Sequence, residues 1–247
     1  MTEATASSAA AQTPRLSVII NNYNYAGFVS RAIDSVLAEG HPETEIVVVD
    51  DGSTDGSREV LAGYGDRITS VLQTNQGQAA AINAGVRAAR GDVLLFLDAD
   101  DWILPGRLRA VDAAFAANPE AALVYHRLQP MRSDGTPVMK TIPRTQGAGN
   151  LVPQLVRSAG WWDFPLTSAL AVRRGAWYAA GPIPPEFRIS ADAWIVGILP
   201  FIGRVVALPE ALGAYRIHQN TWYRATEDAG TLRKRMAHWK ATVQVTN

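Results

Sequence analysis

Residues 92–102 read DVLLFLDADDW and contain the feature around which the chain is organised. The apolar run at residues 93–97 has the length and composition of a buried strand. Carboxylates follow it at Asp98, Asp100 and Asp101. Such a strand would carry Asp98 to the carboxyl edge of a sheet and leave the other two acids on the loop beyond it.

The three acids permit two interpretations. Carboxylates held close together repel one another unless a cation or a donor neutralises them, and hard oxygen ligands suit Mg²⁺ or Mn²⁺ carried in with substrate phosphates. Alternatively, Asp100 or Asp101 caps a helix whose first turn contains Pro105. The stretch alone leaves both a metal-phosphate site and a helix cap open.

The composition is that of an ordinary globular chain. Of its 247 residues, 47% are hydrophobic and 19% are charged, which is enough for one large domain with its own core. The formal net charge of zero argues against non-specific binding of nucleic acid. The absence of cysteine excludes disulfides, thiolate metal sites and cysteine nucleophiles.

Residues 1–14 are rich in Ala, Ser and Thr, without the basic start or apolar centre of a signal peptide. We therefore expect a disordered tail. No apolar run in the sequence approaches the roughly 18 residues that a membrane span needs. These features predict a cytoplasmic protein.

Strand-like and helix-like patterns alternate through the first half of the chain, which predicts a parallel sheet covered on both faces by helices. The strand-like runs are residues 16–20, 45–49, 68–72 and 93–97. The polar loop after Ile20 and the acids after Val49 and Leu97 would meet at the carboxyl edge of this sheet, where such sheets bind ligands. This convergence favours a nucleotide or phosphate site over independent helix caps.

Two common phosphate-binding loops are missing from the sequence. No G-x-G-x-x-G follows the first strand, and no G-x-x-x-x-G-K-[ST] occurs anywhere. Without a glycine loop, a metal must meet the charge of a diphosphate, and the acids supply its ligands.

Four motifs resemble those of family-2 glycosyltransferases of the GT-A fold, in order and in spacing. They are SVIINNYN at residues 17–24, VVDDGSTD at 48–55, NQG at 75–77 leading to NAG at 83–85, and LDADD at 97–101. The resemblance is close over residues 16–108 and looser up to residue 220. It implies an α/β protein with a mostly parallel nucleotide-binding sheet flanked by helices, and a C-terminal acceptor-side region.

We expect the chain to be organised in four parts. They are a tail at residues 1–14, a nucleotide-sugar-binding half at 15–126, an acceptor-binding half of the same domain at 127–230, and a helix at 231–247. Apolar residues along one side of that basic last helix would pack on its own domain, pair with a second subunit or touch an anionic membrane surface.

The resemblance also implies the donor site. The implied nucleotide-sugar contacts are Asn22, Tyr23, Asn24, Asp50, Asp51, Gln76, Asp98 and Arg216. Asp50 is the first choice for the base and ribose, with Asp51 second. The family's D-x-D falls on Asp98 and Asp100, and Asp100 would hold Mn²⁺ or Mg²⁺ between the two phosphates with Asp98 beside it.

Two residues near the end of the resemblance complete this expectation. His218 would complete the metal shell or contact a phosphate, and Arg216 would offset the charge of the departing diphosphate. The sequence departs from the family at Asn21-Asn22, where Pro-Thr or Pro-Ala is usual, and at Ile82, where many members have Arg.

The second half offers acceptor-side candidates. Trp161, Trp162, Asp163 and Ser168 lie in one aromatic and polar segment, and its tryptophans would either stack on a sugar face or belong to the core. Residues 132–136 predict a hairpin turn between short polar strands, and the alternative is a flexible loop over the site.

Asp192 precedes an apolar helix and would be either its N-cap or the general base of sugar transfer. The family has a Glu-Asp pair here, and its Asp is the base; Ala191 replaces the Glu in this chain.

The resemblance implies an inverting glycosyltransferase that moves a sugar to an acceptor hydroxyl by a single displacement. UDP is the first choice of nucleotide, with dTDP and GDP behind it, and the acceptor is a saccharide or glycolipid. Two other functions stay open: a metal-dependent nucleotidyltransferase, and a catalytically silent sugar-nucleotide-binding or scaffold protein.

Overall fold

A single sheet runs through the molecule, and its polar carboxyl edge forms the site described below. The computed structural model describes residues 15–160 and 162–218. The strands within them are β1 (Leu16–Asn22), β2 (Thr44–Asp51), β3 (Thr69–Gln73), β4 (Val93–Asp98), β5 (Trp102–Ile103), β6 (Ala121–Met131), β7 (Leu170–Arg173) and β8 (Arg204–Arg216).

Helices connect most of these strands. They are α1 (Ala26–Ala38), α2 (Ser57–Ala62), α3 (Gln78–Ala88), α4 (Arg107–Ala117), α5 (Val152–Arg157), α6 (Arg174–Ala180) and α7 (Ala191–Ile202). Two short 3₁₀ turns, Gly65–Arg67 and Thr167–Ala169, lie in the connections. Strand and helix alternate as the sequence predicts up to β4, and the short strand β5 then precedes α4.

The strand order is β3-β2-β1-β4-β7-β6-β8-β5. The first four neighbours run parallel, β7 is antiparallel to both of its neighbours, and β6 and β8 are again parallel. The register places Asn22 opposite Asp50 and Asn21 opposite Asp98, so the polar ends of β1, β2 and β4 share one edge. The predicted meeting of these strand ends is thus observed.

Each face of the sheet has its own apolar core because successive strand side chains point to opposite faces. In β1, Val18 and Ile20 pack with α1, α2 and α4, whereas Ile19 packs with α3 and α7 on the other face. At Gly85 of α3 a Cβ would overlap the Cγ2 atom of Ile19 and lie 3.2 Å from that of Val49. The glycine therefore sets how closely α3 lies on the sheet.

The expected boundary between residues 126 and 127 falls inside β6, so the two halves share a continuous strand. The turn at residues 132–136 is present, closed by hydrogen bonds from Arg132 N to Thr136 O and from Gly135 N to Arg132 O. The chain after the turn does not form a regular strand beside β6. It makes only isolated bridges with β6, at Pro137 and Ile142.

None of the described helices is both long enough and apolar enough to cross a membrane. The predicted tail at residues 1–14, the predicted helix at 231–247 and Trp161 lie outside the described residues.

Candidate functional site

A cleft of about 650 Å³ opens at the carboxyl edge of the sheet. The ends of β1 and β4 form its floor, the first turn of α3 forms one wall, and the segment leading into α7 forms another. The carboxylates that line it are Asp51, Asp98, Asp100 and Asp192. The cleft is therefore strongly anionic, and Arg188 is the only Arg or Lys among its described lining residues.

Asp98 lies at the centre of the floor. Its Oδ1 atom accepts hydrogen bonds from Asn21 Nδ2 at 2.9 Å and from Gln78 Nε2 at 3.0 Å. Burial and the negative charge of Asp100 raise the pKa of Asp98 to about 7, against the weaker opposing effect of the Asn21 hydrogen bond. A divalent cation in the cleft would oppose this rise of the pKa, since it would offset the negative charge of Asp100 and favour the ionised form of Asp98.

Asp101 does not face the cleft. It is buried, and its carboxylate accepts hydrogen bonds from Ser168 Oγ at 2.6 Å and from Arg216 N at 2.8 Å. Burial, followed by the charges of Asp100 and Asp98, raises the pKa of Asp101 well above its ordinary value. Asp101 thus ties the acid loop to β8 and to the 3₁₀ turn before β7.

The helix-cap interpretation of these acids is wrong. α4 begins at Arg107, and its first turn is capped by Glu39, which follows α1. Glu39 Oε1 accepts from Gly106 N at 2.5 Å, and Glu39 Oε2 accepts from Leu108 N at 3.2 Å. A carboxylate distant in sequence meets the helix terminus, which leaves Asp98 and Asp100 to the cleft.

The structure brings His218 and Asp100 together. His218 Nε2 lies 2.8 Å from Asp100 Oδ2, and the imidazole packs against the rings of Tyr25 and Phe28 at centroid distances of 5.9 and 5.5 Å. Carboxylates suit Mn²⁺ and Mg²⁺ and imidazole is a common metal ligand, so the pair could contribute ligands to a divalent ion.

The donors available to a metal are Asp98, Asp100 and the imidazole beside Asp100. Across residues 15–160 and 162–218, no three His, Cys, Asp or Glu side chains converge into a metal centre of their own. Mg²⁺ and Mn²⁺ are commonly held by one or two carboxylates with water and substrate phosphates. The donor set therefore fits an ion that arrives with a diphosphate.

Asp192 lines the same cleft from a different element. It is the second residue of α7, where Ser190 takes the N-cap position, so the N-cap interpretation of Asp192 is wrong. Its Oδ1 atom accepts from Ala193 N at 3.0 Å, and 9% of the residue is exposed. Burial raises the pKa of Asp192 to about 6, which is close to the working range of a general base.

The order of preference between Asp50 and Asp51 needs correction. Asp50 is fully buried, does not line the cleft, and accepts from Arg58 Nε at 2.9 Å and Asn22 Nδ2 at 3.0 Å. Although burial opposes ionisation, hydrogen bonds from Ser53 and Arg58 lower the pKa of Asp50. Successive side chains of β2 alternate between faces, so the cleft receives Asp51.

The loop after β1 is only partly a cleft wall. Asn22 and the exposed Tyr23 line the cleft. Asn24 does not line it: Asn24 Oδ1 accepts from Thr54 N at 2.8 Å, which ties this loop to the one after β2. Gln76 does not line the cleft either, and its exposed side chain contacts the carbonyl oxygen of Thr74 at 3.4 Å.

Arg216 lies behind the acid loop, out of the cleft. It is 3% exposed, donates from Nε to the carbonyl oxygen of Asp100 at 2.5 Å, and its guanidinium stacks over the rings of Phe28 and Trp102. Direct contact with a departing diphosphate is therefore not its role in this structure. It stabilises the backbone on which Asp100 is carried.

The described acceptor-side candidates lie in three different environments. Trp162 belongs to the core, packed edge-on against Tyr125 with its indole N–H donating to Val196 O at 3.3 Å, so it presents no face to a sugar. Asp163 accepts from Thr145 Oγ1 at 2.8 Å and borders a smaller pocket. Ser168 supports Asp101 and also accepts from Asp98 N at 3.1 Å, which places it under the donor-side acids.

Sequence reasoning missed several cleft residues. Asn21 was noted only as a departure from the family, and Gln78 and Arg188 belong to no motif. An amide directly after the Asn-Gln-Gly motif, at the start of the α3 pattern, was the available signal for Gln78. No local signal identifies Arg188, because only the fold brings its segment to the cleft.

The family of the chain follows from comparison with known proteins. Residues 17–163 match the profile of Glycosyl transferase family 2, and this match covers more than half of the chain. The chain therefore belongs to glycosyl transferase family 2.

Two relatives show how far this similarity extends. An uncharacterized glycosyltransferase of Nostoc sp. is 41% identical over 209 residues, which make up 83% of this chain and 65% of the relative. TuaG of Bacillus subtilis, a putative teichuronic acid biosynthesis glycosyltransferase, is 36% identical over 133 residues, 52% of each chain. The chain thus spans only part of the length of either relative.

Solved structures show the same fold. TarS of S. aureus in complex with UDP aligns with a TM-score of 0.67 and 20% identity, over 82% of this chain and 60% of TarS. The mannosyltransferase PcManGT of Pyrobaculum calidifontis, in complex with GDP-Man and Mn²⁺, aligns with a TM-score of 0.64 and 21% identity, over 95% of this chain and 65% of PcManGT. The predicted GT-A fold is confirmed.

Proposed function

We propose that the protein is an inverting glycosyltransferase that moves a sugar from a UDP-sugar to a hydroxyl of a saccharide or glycolipid acceptor in the cytoplasm. One observation carries the proposal. A single cleft holds a pair of acids on the β4 loop, Asp98 and Asp100, and a separate buried carboxylate, Asp192, on α7. A metal-assisted single displacement on a nucleotide-diphosphate sugar would use both features.

The floor of the cleft suits the nucleoside. Asn21 Oδ1 and Asn22 Oδ1 are buried acceptors for which the described residues supply no hydrogen-bond partner. Unpaired buried acceptors are costly, and ribose hydroxyls or base N–H groups would satisfy them. The exposed ring of Tyr23 at the cleft wall is available to stack on a base.

Asp98 and Asp100 would hold Mn²⁺ or Mg²⁺ with the phosphates, with His218 at Asp100. When bound, such an ion supplies charge neutralisation for the diphosphate that departs. Arg188 adds a cation at the cleft rim, where its Nη2 atom donates to Asn75 Oδ1 at 3.2 Å. Many family members have an Arg at the position of Ile82, and in this chain Arg188 would supply the positive charge instead.

Asp192 would act on the acceptor. It takes the proton of the attacking hydroxyl as that oxygen bonds to the anomeric carbon, and the bond from that carbon to the diphosphate oxygen breaks with its electron pair leaving on the nucleotide. Attack on the face opposite the leaving group inverts the anomeric configuration. A pKa of about 6 leaves Asp192 largely ionised at neutral pH yet basic enough to receive a proton.

Calorimetric titration would test the donor half of the proposal. UDP, dTDP and GDP are titrated with and without Mn²⁺ into the wild type, Asp100→Ala and the control Asp66→Ala, whose side chain is exposed on a distant turn. We expect Mn²⁺-dependent binding of UDP that Asp100→Ala abolishes and Asp66→Ala retains. Binding of none of the nucleotides by the folded wild type would reject the proposal.

A transfer assay tests the acceptor half. Purified protein is given UDP-sugars with saccharide and lipid-linked acceptors, and the anomeric configuration of the product is read by NMR. The product should have the configuration opposite to that of the donor. Retention of configuration would contradict a single displacement by an acceptor hydroxyl with Asp192 as its base.

A further inference from the structure

Gln78 is the first residue of α3 and connects the two sides of the cleft. Its Nε2 atom donates to Asp98 Oδ1 at 3.0 Å, and its Oε1 atom accepts from the backbone N of Ala191 at 3.0 Å. Ala191 is the first residue of α7 and directly precedes Asp192. One amide group therefore contacts both the donor-side acid and the turn that carries the proposed base.

The orientation of this amide is fixed by its partners. Ala191 offers an N–H and requires the oxygen, whereas the carboxylate of Asp98 requires the NH₂ group. Asn21 supplies the second hydrogen bond to the same Asp98 oxygen, at 2.9 Å. Both amides approach Oδ1, so Asp98 Oδ2 is left for a ligand in the cleft.

The backbone reinforces the same junction. Gln78 N donates to Arg188 O at 2.8 Å, and a Cβ at Gly77 would lie 2.8 Å from that carbonyl oxygen. Gly77 also has a φ of +92°, a conformation that favours glycine. The loop before α3 and the segment before α7 are thus in direct contact, and the Gln78 side chain extends this contact to the reacting groups.

We propose that Gln78 is a positioning residue that sets the distance between Asp98 and the Asp192 turn, so that donor and base meet in productive geometry. The inference rests on the proposed function of the cleft. A side chain one methylene shorter would not span the two partners, and an apolar one would contact neither by hydrogen bonding. The competing explanation is that Gln78 only satisfies the first N–H of α7 and contributes to stability.

The first test compares Gln78→Met, which keeps the length of the side chain and removes its hydrogen bonds, with Gln154→Met, a change of the same kind at an exposed site on α5. We expect kcat of Gln78→Met to fall about 10- to 100-fold, as misplaced catalytic groups do, with the acceptor KM changed by less than about 2-fold. Gln154→Met should behave as the wild type. A loss confined to KM, or no loss, would overturn the inference.

A double-mutant cycle separates positioning from stability. Gln78→Met is measured in the Asp192→Asn background, at high enzyme concentration and over long incubation. If Gln78 acts through the base, its effect shrinks below about 2-fold once the base is gone, because coupled residues are not additive. Undiminished effects in both backgrounds would assign Gln78 a role independent of Asp192 and reject the proposal.

Hydrogen exchange supplies a measurement that does not depend on turnover. Amides of residues 188–193 should exchange faster in Gln78→Met than in the wild type or Gln154→Met, since Ala191 loses its acceptor. Equal exchange in all three proteins would show that the hydrogen bond between Gln78 and Ala191 does not stabilise residues 188–193, and would overturn the proposal. If the wild type neither binds UDP nor transfers sugar while exchange still responds to Gln78→Met, then the proposed function fails and the contact itself stands.

Discussion

Asp192 is a carboxylate that its surroundings keep from water, with 9% of the residue exposed and a pKa of about 6. A general base works only in its ionised form. We therefore expect kcat/KM for transfer to fall tenfold per pH unit below about pH 6 and to be level above it until another group titrates. Assays from pH 4.5 to 8.5 at saturating metal would measure this, and a level profile through pH 5 would contradict the assignment.

The same carboxylate should reduce the stability of the fold at neutral pH. Its pKa is raised in the native state, so between about pH 4 and 6 the native state binds more protons than the unfolded state, and stability falls as pH rises through this window. Above about pH 6 the full loss of stability from the buried, ionised carboxylate is present. Asp192→Asn should therefore raise the free energy of unfolding at pH 7.5 by about 1 to 3 kcal/mol while transfer falls about 100-fold or more.

Urea unfolding at pH 7.5 and pH 4 checks the sign of this effect. The increase in the free energy of unfolding caused by Asp192→Asn should be smaller at pH 4, because the wild-type carboxyl is then protonated. A variant that is less stable than the wild type at pH 7.5 would show that hydrogen bonds to the ionised carboxylate, such as that from Ala193 N, outweigh its burial.

At the scale of elements, the packing of α3 on the sheet depends on Gly85. A Cβ there would meet the side chains of Ile19 and Val49 from β1 and β2. We expect Gly85→Ala to lower the free energy of unfolding by about 1 to 3 kcal/mol through overpacking. Gly197 lies in α7 with no atom within 4 Å of a Cβ built there, so Gly197→Ala should instead gain up to about 1 kcal/mol from helix propensity. Chemical unfolding of the pair measures both signs, and a stabilising Gly85→Ala would refute the packing argument.

The acid loop offers a second test at this scale. Ser168 Oγ donates to Asp101 at 2.6 Å and accepts from Asp98 N at 3.1 Å, and Ser168 and Asp101 are both buried. Ser168→Ala would leave the buried Asp101 carboxylate short of one donor and the Asp98 N–H without this acceptor, which costs about 1 to 3 kcal/mol. Ser70→Ala, exposed on β3, is the control. Thermal unfolding of the two variants should separate them clearly, and equal midpoints would contradict this account.

The sequence predicts β1, β2 and β4 well, because they are largely buried and read as apolar runs that end in polar residues. β3 is an exposed edge strand with a weaker pattern. It predicts which acids lie at the strand ends but not which face of the sheet each side chain takes, so it does not decide between Asp50 and Asp51. Successive residues of a strand point to opposite faces of the sheet, so an error of one residue places a side chain on the wrong face. Glu39 as the cap of α4 was equally out of reach, since the partners are 67 and 69 positions apart.

The structure of the second half of the chain is harder to predict from its sequence, for a physical reason. Its segments contribute to the cleft through contacts between distant parts of the chain, as when Arg188 meets Gly77 or Arg216 supports Asp100. Burial also decides between two chemically reasonable roles, and it placed Trp162 in the core and Arg216 behind the acid loop. Local pattern carries no information on either choice.

At the scale of the whole molecule, the cleft is built by both halves of one sheet. β4 pairs with β7, and β6 extends across the expected boundary to pair with β8. Because no seam divides the sheet, we expect residues 15–218 to unfold in one cooperative transition. Far-ultraviolet circular dichroism and tryptophan fluorescence should give coincident curves, since Trp102 lies at the acid loop and Trp177 and Trp194 lie on helices of the opposite face.

Nucleotide binding should shift that transition as a unit. A ligand held by Asn22 on β1, Asp100 on the acid loop and Arg188 before α7 binds only when all three elements are assembled, so its binding free energy stabilises the entire fold. At about 100 times its Kd, UDP with Mn²⁺ should add about 2.7 kcal/mol to the free energy of unfolding and move both spectroscopic curves together. Asp100→Ala should show no shift, and Asp66→Ala should show the full one. Two separated transitions, with UDP moving only the earlier or only the later, would mean that the halves are independent units and that the donor contacts lie within one of them.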